Sequence, residues 1–319
     1  MDLFNPAFWM FVAAIAGIYA IMALGLYAQF SLAGLPNFGH VAFMAVAAYA
    51  MAILVARLEL PLLVGAAGGV VAAVLLAFIV GIPSLRLRAD YLAIATVAAS
   101  EVVRYLAMNL PDLTGGPLGS IGILGPGQVA MYNGEWLAFI GRLTPAGVPR
   151  DATVAALVWA LALLIIAALG DLERSPWGRV LRAIREDEAA ATAAGKNVFA
   201  FKMQALVLGA VLGAIAGELL ACQIGVFSPD DYQPTLTFYA YLILILGGSN
   251  RIWAIPVGAV LFSLLYSGTR FLNFFPLSLI DSGSRAFLRL FLVGFLLVLF
   301  MAIRPQGILG NRRELLLEK

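Results

Sequence analysis

The chain has 319 residues, 62% of them hydrophobic and only 12% charged, with a mean hydropathy of +0.96. A soluble domain carries about half apolar and about a quarter charged residues, so this chain cannot cover a globular surface of its own size, and a soluble enzyme is excluded. A net charge of +2 excludes a nucleic-acid footprint, and a single cysteine (Cys222) and a single histidine (His40) exclude an internal disulfide and any cluster of imidazole or thiolate metal ligands.

At about 20 apolar residues per crossing, the composition predicts an all-α polytopic bundle forming a single transmembrane domain over 1–319. The start, MDLFNPAFWM, is acidic rather than basic and its apolar run continues to Tyr27. That reads as a retained first span, not a cleaved signal. Apolar runs predict nine spans: 8–29, 38–56, 61–83, 90–109, 152–170, 198–222, 235–250, 256–275 and 285–303. The segments near 30–37 and 248–255 are either re-entrant or tight turns. The gap 110–151 holds nine glycines and is the only stretch large enough for a substructure outside the spans.

Lys and Arg mark cytoplasmic loops. With the carboxyl terminus inside, the inner segments hold twelve basic residues and the outer segments five; Arg104, Lys202 and Arg289 fall within spans. Nine crossings then place the amino terminus outside, where residues 1–7 carry no basic residue. Loop 110–151 is expected outside, and loop 171–197 inside.

That inner loop contains RSPWGRVLRAIREDEAAATAAGKN, residues 174–197. From Trp177 to Ala194 it is rich in Ala, Arg and Glu, which favour helix, and Gly195 is a natural stop. Trp177, Val180, Leu181, Ile184 and Glu188 follow helical spacing, while Arg179, Arg182, Arg185 and Glu186 spread over the other face. A helix docking into a partner's groove and one lying on lipid both fit the pattern.

GRVLRAIREDEAAATAAG resembles the cytoplasmic coupling loop of binding-protein-dependent ABC permeases, and most closely that of the Liv-type branched-chain amino acid permeases. NFGHVAFMAVAAYA (37–50), LRLRADYLAIATVAASEVVR (85–104) with LTGGPLG (113–119), and FYAYLILILGGSNRIWAIPVGAVLF (238–262) resemble the same family. The ending RPQGILG (304–310) is like its M-type subunit. The resemblance covers roughly residues 17–310, with four pieces in order. YAQFSLAGLPNFGH departs from it, since relatives often carry a longer glycine-rich turn there.

The resemblance implies the inner-membrane permease of an ATP-driven importer for branched-chain amino acids. Implied partners are a second, homologous permease, two ATPase subunits and a periplasmic binding protein, with lipid around the bundle. It assigns ATPase coupling to Trp177, Arg182, Arg185, Glu186, Glu188, Ala190, Ala191 and Gly195. Urea and short-chain amide permeases look very similar. An ion-coupled secondary transporter is the reading from another class, disfavoured because only Glu101, Arg104 and Glu218 are ionisable groups placed to matter within the spans.

Candidate path residues are few. Glu101 and Arg104 share a helix face at i, i+3, either as a structural pair or bordering the path. Asn37 and His40 either pack or line the path near its cytoplasmic end. Thr114, Gly115 and Gly116 offer backbone N–H groups that could touch a carboxylate in passing, or form a plain turn. No G-x-x-x-x-G-K-[ST], nucleophile elbow or H-E-x-x-H occurs. The chain is therefore expected to be no enzyme and to bind no cofactor or metal, with ATP held by partner subunits.

Overall fold

The computed structural model describes residues 6–249, 251–268 and 307–309, with single positions between 288 and 299; for 124–133 only the helical backbone is described. Every regular element among these residues is helical. The chain runs α1 (Pro6–Tyr27), a π-helical turn (Ala28–Leu32), α2 (Val41–Arg57), α3 (Leu62–Ser84), α4 (Ala89–Asn109) and α5 (Pro111–Thr114). After a 3₁₀ turn (Gly116–Leu118) come α6 (Ser120–Leu143), α7 (Arg150–Arg174), α8 (Pro176–Glu186) and α9 (Glu188–Ala193). Then follow α10 (Val198–Ile224), a 3₁₀ turn (Pro229–Tyr232), α11 (Pro234–Gly247) and α12 (Ala254–Gly268).

Proline sets several of these starts. Pro111, Pro176, Pro229 and Pro234 stand in the first turn of their helices, where no intrahelical N–H partner is lost.

Among the described residues, five helices are long and apolar enough to cross a membrane: Pro6–Leu32, Leu62–Ser84, Ala89–Asn109, Arg150–Arg174 and Val198–Ile224. Their burial identifies the solvent. α3 buries Gly65, Gly69, Ala73, Ala77 and Gly81, one small residue per turn, and packs that stripe on α2 and α10. Its other side exposes Leu63, Val71, Leu75, Phe78, Ile79 and Ile82. A face that apolar is stable only against lipid tails. The protein is a multi-pass helical membrane bundle.

α1 is buried all round from Ala16 to Tyr27 and forms the axis, with α7, α10 and α12 packed on it and α2 beyond α10. Eight of the nine expected spans correspond to helices, the eighth as far as Gly268. The ninth, 285–303, lies outside the described residues apart from single helical positions.

Two expectations need correction. The glycine-rich gap 110–151 is not mainly loop: α6 occupies 24 residues of it, because glycines spread singly through apolar sequence weaken a helix without stopping it. The second span is found as expected, as α2 of 17 residues, about 26 Å of helix against about 30 Å of hydrocarbon. The single helix expected from Trp177 to Ala194 is broken at Asp187. That residue is extended (φ −153°, ψ 106°), and its carboxylate accepts from the Ala189 and Ala190 amides. Asp is among the strongest N-caps, so it ends α8 and begins α9.

Candidate functional site

Irregular backbone at membrane depth survives only where protein or a water-filled cavity satisfies its polar groups. This bundle has such a segment at 33–40, between the π turn that ends α1 and the start of α2. His40 packs between Gly25 of α1 and Gly213 of α10; a Cβ at either glycine would lie 3.0 Å from the imidazole. Gly213 stands past the middle of α10, so the crossover lies inside the bundle. Segment 30–37 runs from the π turn into this crossover and is longer than a tight turn. By contrast, 248–255 is a tight turn: Gly248 has φ 119° and accepts from the Arg251 amide, and Gly247 lies against Ala254.

Side chains from α4 and α11, and one from the crossover itself, bind its backbone. The Phe38 amide donates to Thr96 Oγ1 of α4 (3.1 Å) and the Val41 amide to Thr237 Oγ1 of α11 (3.0 Å). Asn37 acts twice: Nδ2 donates to Gln29 Oε1 (2.9 Å), and Oδ1 accepts from the Gly39 amide (2.9 Å). Gln29 Nε2 in turn donates to the Leu206 carbonyl of α10 (3.1 Å). Phe38 stacks on Tyr241, with ring centroids 4.5 Å apart. Asn37, Gly39, Thr96, Val80, Ala99 and Leu206 border a narrow cleft between α2, α3, α4 and α10.

Asn37 and His40 are both buried, His40 between α1 and α10. Neither His40 nitrogen has a hydrogen-bond partner of normal geometry, and the ring meets Phe43 edge-on at 6.0 Å. Its contacts are those of a packing residue. Sequence reasoning missed Gln29, Thr96 and Thr237; the available signal was a lone amide or hydroxyl inside an apolar run.

The second cluster is the α8–α9 projection. The apolar face of α8 is already consumed: Leu181 and Ile184 are buried, and Trp177 Nε1 donates to Gln204 Oε1 of α10 at 2.7 Å. Arg182 reaches Glu173 Oε1 of α7 at 3.4 Å, and Glu173 Oε2 accepts from the Tyr27 hydroxyl. Glu188 pairs with Lys202 of α10.

Of the expected coupling residues, Glu186, Ala190 and Gly195 are exposed without a tie to the bundle, whereas Ala191 is buried and cannot meet a partner. Gly195 ends α9 with φ 75°, as a left-handed stop requires. The outward surface sets the charged Arg179 and Glu186 among the small side chains of Ala183, Ala190 and Ala193. The helix cannot lie on lipid by a face already buried in its own bundle.

At the opposite end, Glu101 and Arg104 form a pair within α4 (2.7 Å) rather than between helices. Arg104 also reaches Asp230 in the turn after α10 at 2.9 Å and lies over the Tyr105 ring at 4.6 Å. With Glu101 31% and Asp230 59% exposed, this is a peripheral strut tying α4 to that turn.

Thr114 to Gly116 offer no free N–H groups. The Gly115 amide donates to the Pro111 carbonyl and the Gly116 amide to Thr114 Oγ1 (3.4 Å), while Thr114 Oγ1 donates to the Ala107 and Leu110 carbonyls. Gly115 and Gly122 meet backbone to backbone. The turn joins α5 to α6, and a passing carboxylate finds nothing there to bind.

The family described as "Branched-chain amino acid transport system / permease component" matches residues 8–301. The chain belongs to that family. The permease is 32% identical over 318 residues to the high-affinity branched-chain amino acid transport system permease protein LivM of Salmonella typhimurium, covering 95% of this chain and 70% of that one. LivM of Escherichia coli is 31% identical with the same coverage. LivH of Escherichia coli is 28% identical over 92% of the permease and 91% of the relative. No solved structure matches.

Proposed function

We propose that this permease is the M-type transmembrane subunit of an ATP-driven importer for branched-chain amino acids, acting with a second homologous permease, two ATPase subunits and a periplasmic binding protein. The observation that carries the reading is the α8–α9 projection, braced from beneath by Gln204, Glu173 and Lys202. Its outer face, around Ala183, Ala190 and Ala193, carries side chains small enough for a partner's backbone to approach. A bundle without an ATP-binding motif needs such a surface, because the energy has to enter from another subunit.

The cleft beside Asn37 is lined mainly by apolar and small side chains. Its polar groups are already paired with one another, so it offers passage without tight binding, and affinity is left to the binding protein. The test is reconstitution of the complete complex in vesicles with its binding protein. ATPase subunits co-purify with the permease, and leucine, isoleucine and valine each stimulate ATP hydrolysis while urea does not. Stimulation by urea or a short amide alone would replace the substrate while keeping the ABC assignment. Permease that purifies without ATPases would remove the assignment itself.

Orientation follows from the basic residues: the α8–α9 projection and the carboxyl terminus cytoplasmic, the amino terminus outside. Ser120 is a poor reporter because it is buried and its amide is bonded to the Phe227 carbonyl. Leu118, 65% exposed, and the exposed Thr192 are better. In a Cys222→Ala background, an impermeant maleimide applied to intact spheroplasts labels Leu118→Cys and leaves Thr192→Cys untouched. The reverse pattern inverts the topology.

A further inference from the structure

Two arginines one turn apart on α8 hold the two ends of the π turn. At its start, Arg182 reaches Glu173, which accepts from Tyr27, the last residue of α1. At its finish, Arg185 Nη1 donates to the Ser31 carbonyl at 2.6 Å. The stem of Arg185 lies on Gly34, whose φ is +68°; a Cβ there would come within 2.8 Å of Arg185 Cγ. Gly34 thus meets two needs, a left-handed backbone and room for the arginine stem.

The same turn is tied on its other side to the crossover, through Gln29, Asn37 and the Gly39 amide. A π turn is a register held by its surroundings, and such turns are frequent at functional sites. Here it stands between the α8 projection and the cleft, joined to each by hydrogen bonds.

We infer that Arg185 is a positioning residue through which movement of α8 reaches the Asn37–His40 crossover, by its grip on the Ser31 carbonyl and its contact with Gly34. Arg185 acts inward, on the permease's own crossover between α1 and α2, rather than outward on a docked subunit. A shift of α8 draws on the π turn at Ser31. Gln29 carries the displacement to Asn37, and the cleft edge at Gly39 moves with it. This rests on the reading of α8–α9 as the ATPase-docking element. The geometry of the link itself is independent of that reading.

Two measurements on Arg185→Gln and Arg185→Lys separate them. The first is hydrogen exchange on the full-length permease alone in detergent. Arg185→Gln speeds exchange of the Leu35, Asn37, Phe38 and Gly39 amides by at least about tenfold, the scale of one lost charge-assisted hydrogen bond, and Arg185→Lys restores most of the protection. Wild-type exchange in Arg185→Gln overturns the link. The second is the number of substrate molecules carried per ATP hydrolysed by the complete complex. ATPases co-purify with Arg185→Gln at wild-type yield, yet the transport ratio falls by about tenfold, with Arg185→Lys intermediate. A merely structural role would lower transport and hydrolysis together and leave the ratio unmoved, which overturns the inference. Loss of ATPase association in Arg185→Gln alone overturns it as well, by making Arg185 a docking residue. ATPases absent from the wild-type complex would sink the docking reading and leave the exchange result to stand by itself.

Discussion

Gly217→Leu is expected to unseat α2 from α10 and abolish transport. Gly209, Gly213 and Gly217 recur every fourth residue on α10 and meet, in order, the Gln29 side chain, the His40 ring and the Met44 backbone. At 217 the neighbour is main chain: a Cβ would sit 2.5 Å from Met44 Cα and closer still to its carbonyl oxygen. Rotamer changes cannot relieve a clash with backbone, so the helices have to separate. Overpacking costs about 1–3 kcal/mol where a core can adjust, and occasionally more. The upper end applies here, because α2 also holds α3 through Gly65 and Gly69. The Gly217 carbonyl also accepts from Tyr232 at 3.0 Å, so the turn after α10 loosens too.

The control is Gly170→Ala on α7, where nothing lies within 4 Å of the added carbon. There the gain in helix propensity, up to about 1 kcal/mol, leaves the protein as stable or slightly more so. Thermal unfolding in detergent and uptake in vesicles read both variants. A Gly217→Leu protein with wild-type melting and transport would mean that α2 and α10 do not pack as described.

Asn37→Leu is the second large effect. The leucine is close in size but removes one donor and one acceptor at once. Gln29 Oε1 loses Asn37 Nδ2, and the Gly39 amide loses Asn37 Oδ1, all inside the bundle. Each orphaned buried group costs about 1–3 kcal/mol. Average interhelical hydrogen bonds in membranes are worth less, about 0.6 kcal/mol, because the membrane-inserted unfolded chain finds other partners. The backbone amide of a buried irregular segment has fewer alternatives, so the larger figure is the better guide. Asn37→Asp keeps the acceptor for Gly39 but brings a carboxylate oxygen against Gln29 Oε1, and should transport no better. The expected results are a lowered melting temperature and near-complete loss of uptake for Asn37→Leu. Unchanged uptake would remove the crossover from the transport machinery.

Hydropathy places α1, α3, α4, α7 and α10 to within a few residues because a lipid-facing helix has to be apolar over its full length, whatever it packs against. The shorter α2 and α11 are placed to within three residues at each end as well. Composition placed an amphipathic element at Trp177–Gly195. It could not show that Asp187 divides it, because a cap depends on φ and ψ at one residue. Nor could it show that the apolar face is spent on the bundle, which removes lipid as its partner.

The sequence by itself determined the solvent of this protein, the order of its spans and the existence of a polar projection between the fifth and sixth. Those follow from composition and local periodicity, which need no knowledge of neighbours. Only the tertiary structure decided what the scattered polar residues do. Gln29, Thr96 and Thr237, none of them singled out from the sequence, meet Asn37 around one crossover backbone. Thr114–Gly116, which looked like an open backbone site, is closed by its own carbonyls. Arg185, which looked like part of a charged outer face, turns inward to Ser31. A hydrogen bond's partner is fixed by position in space, and in a bundle this apolar each polar group's role is set by the few others it can reach.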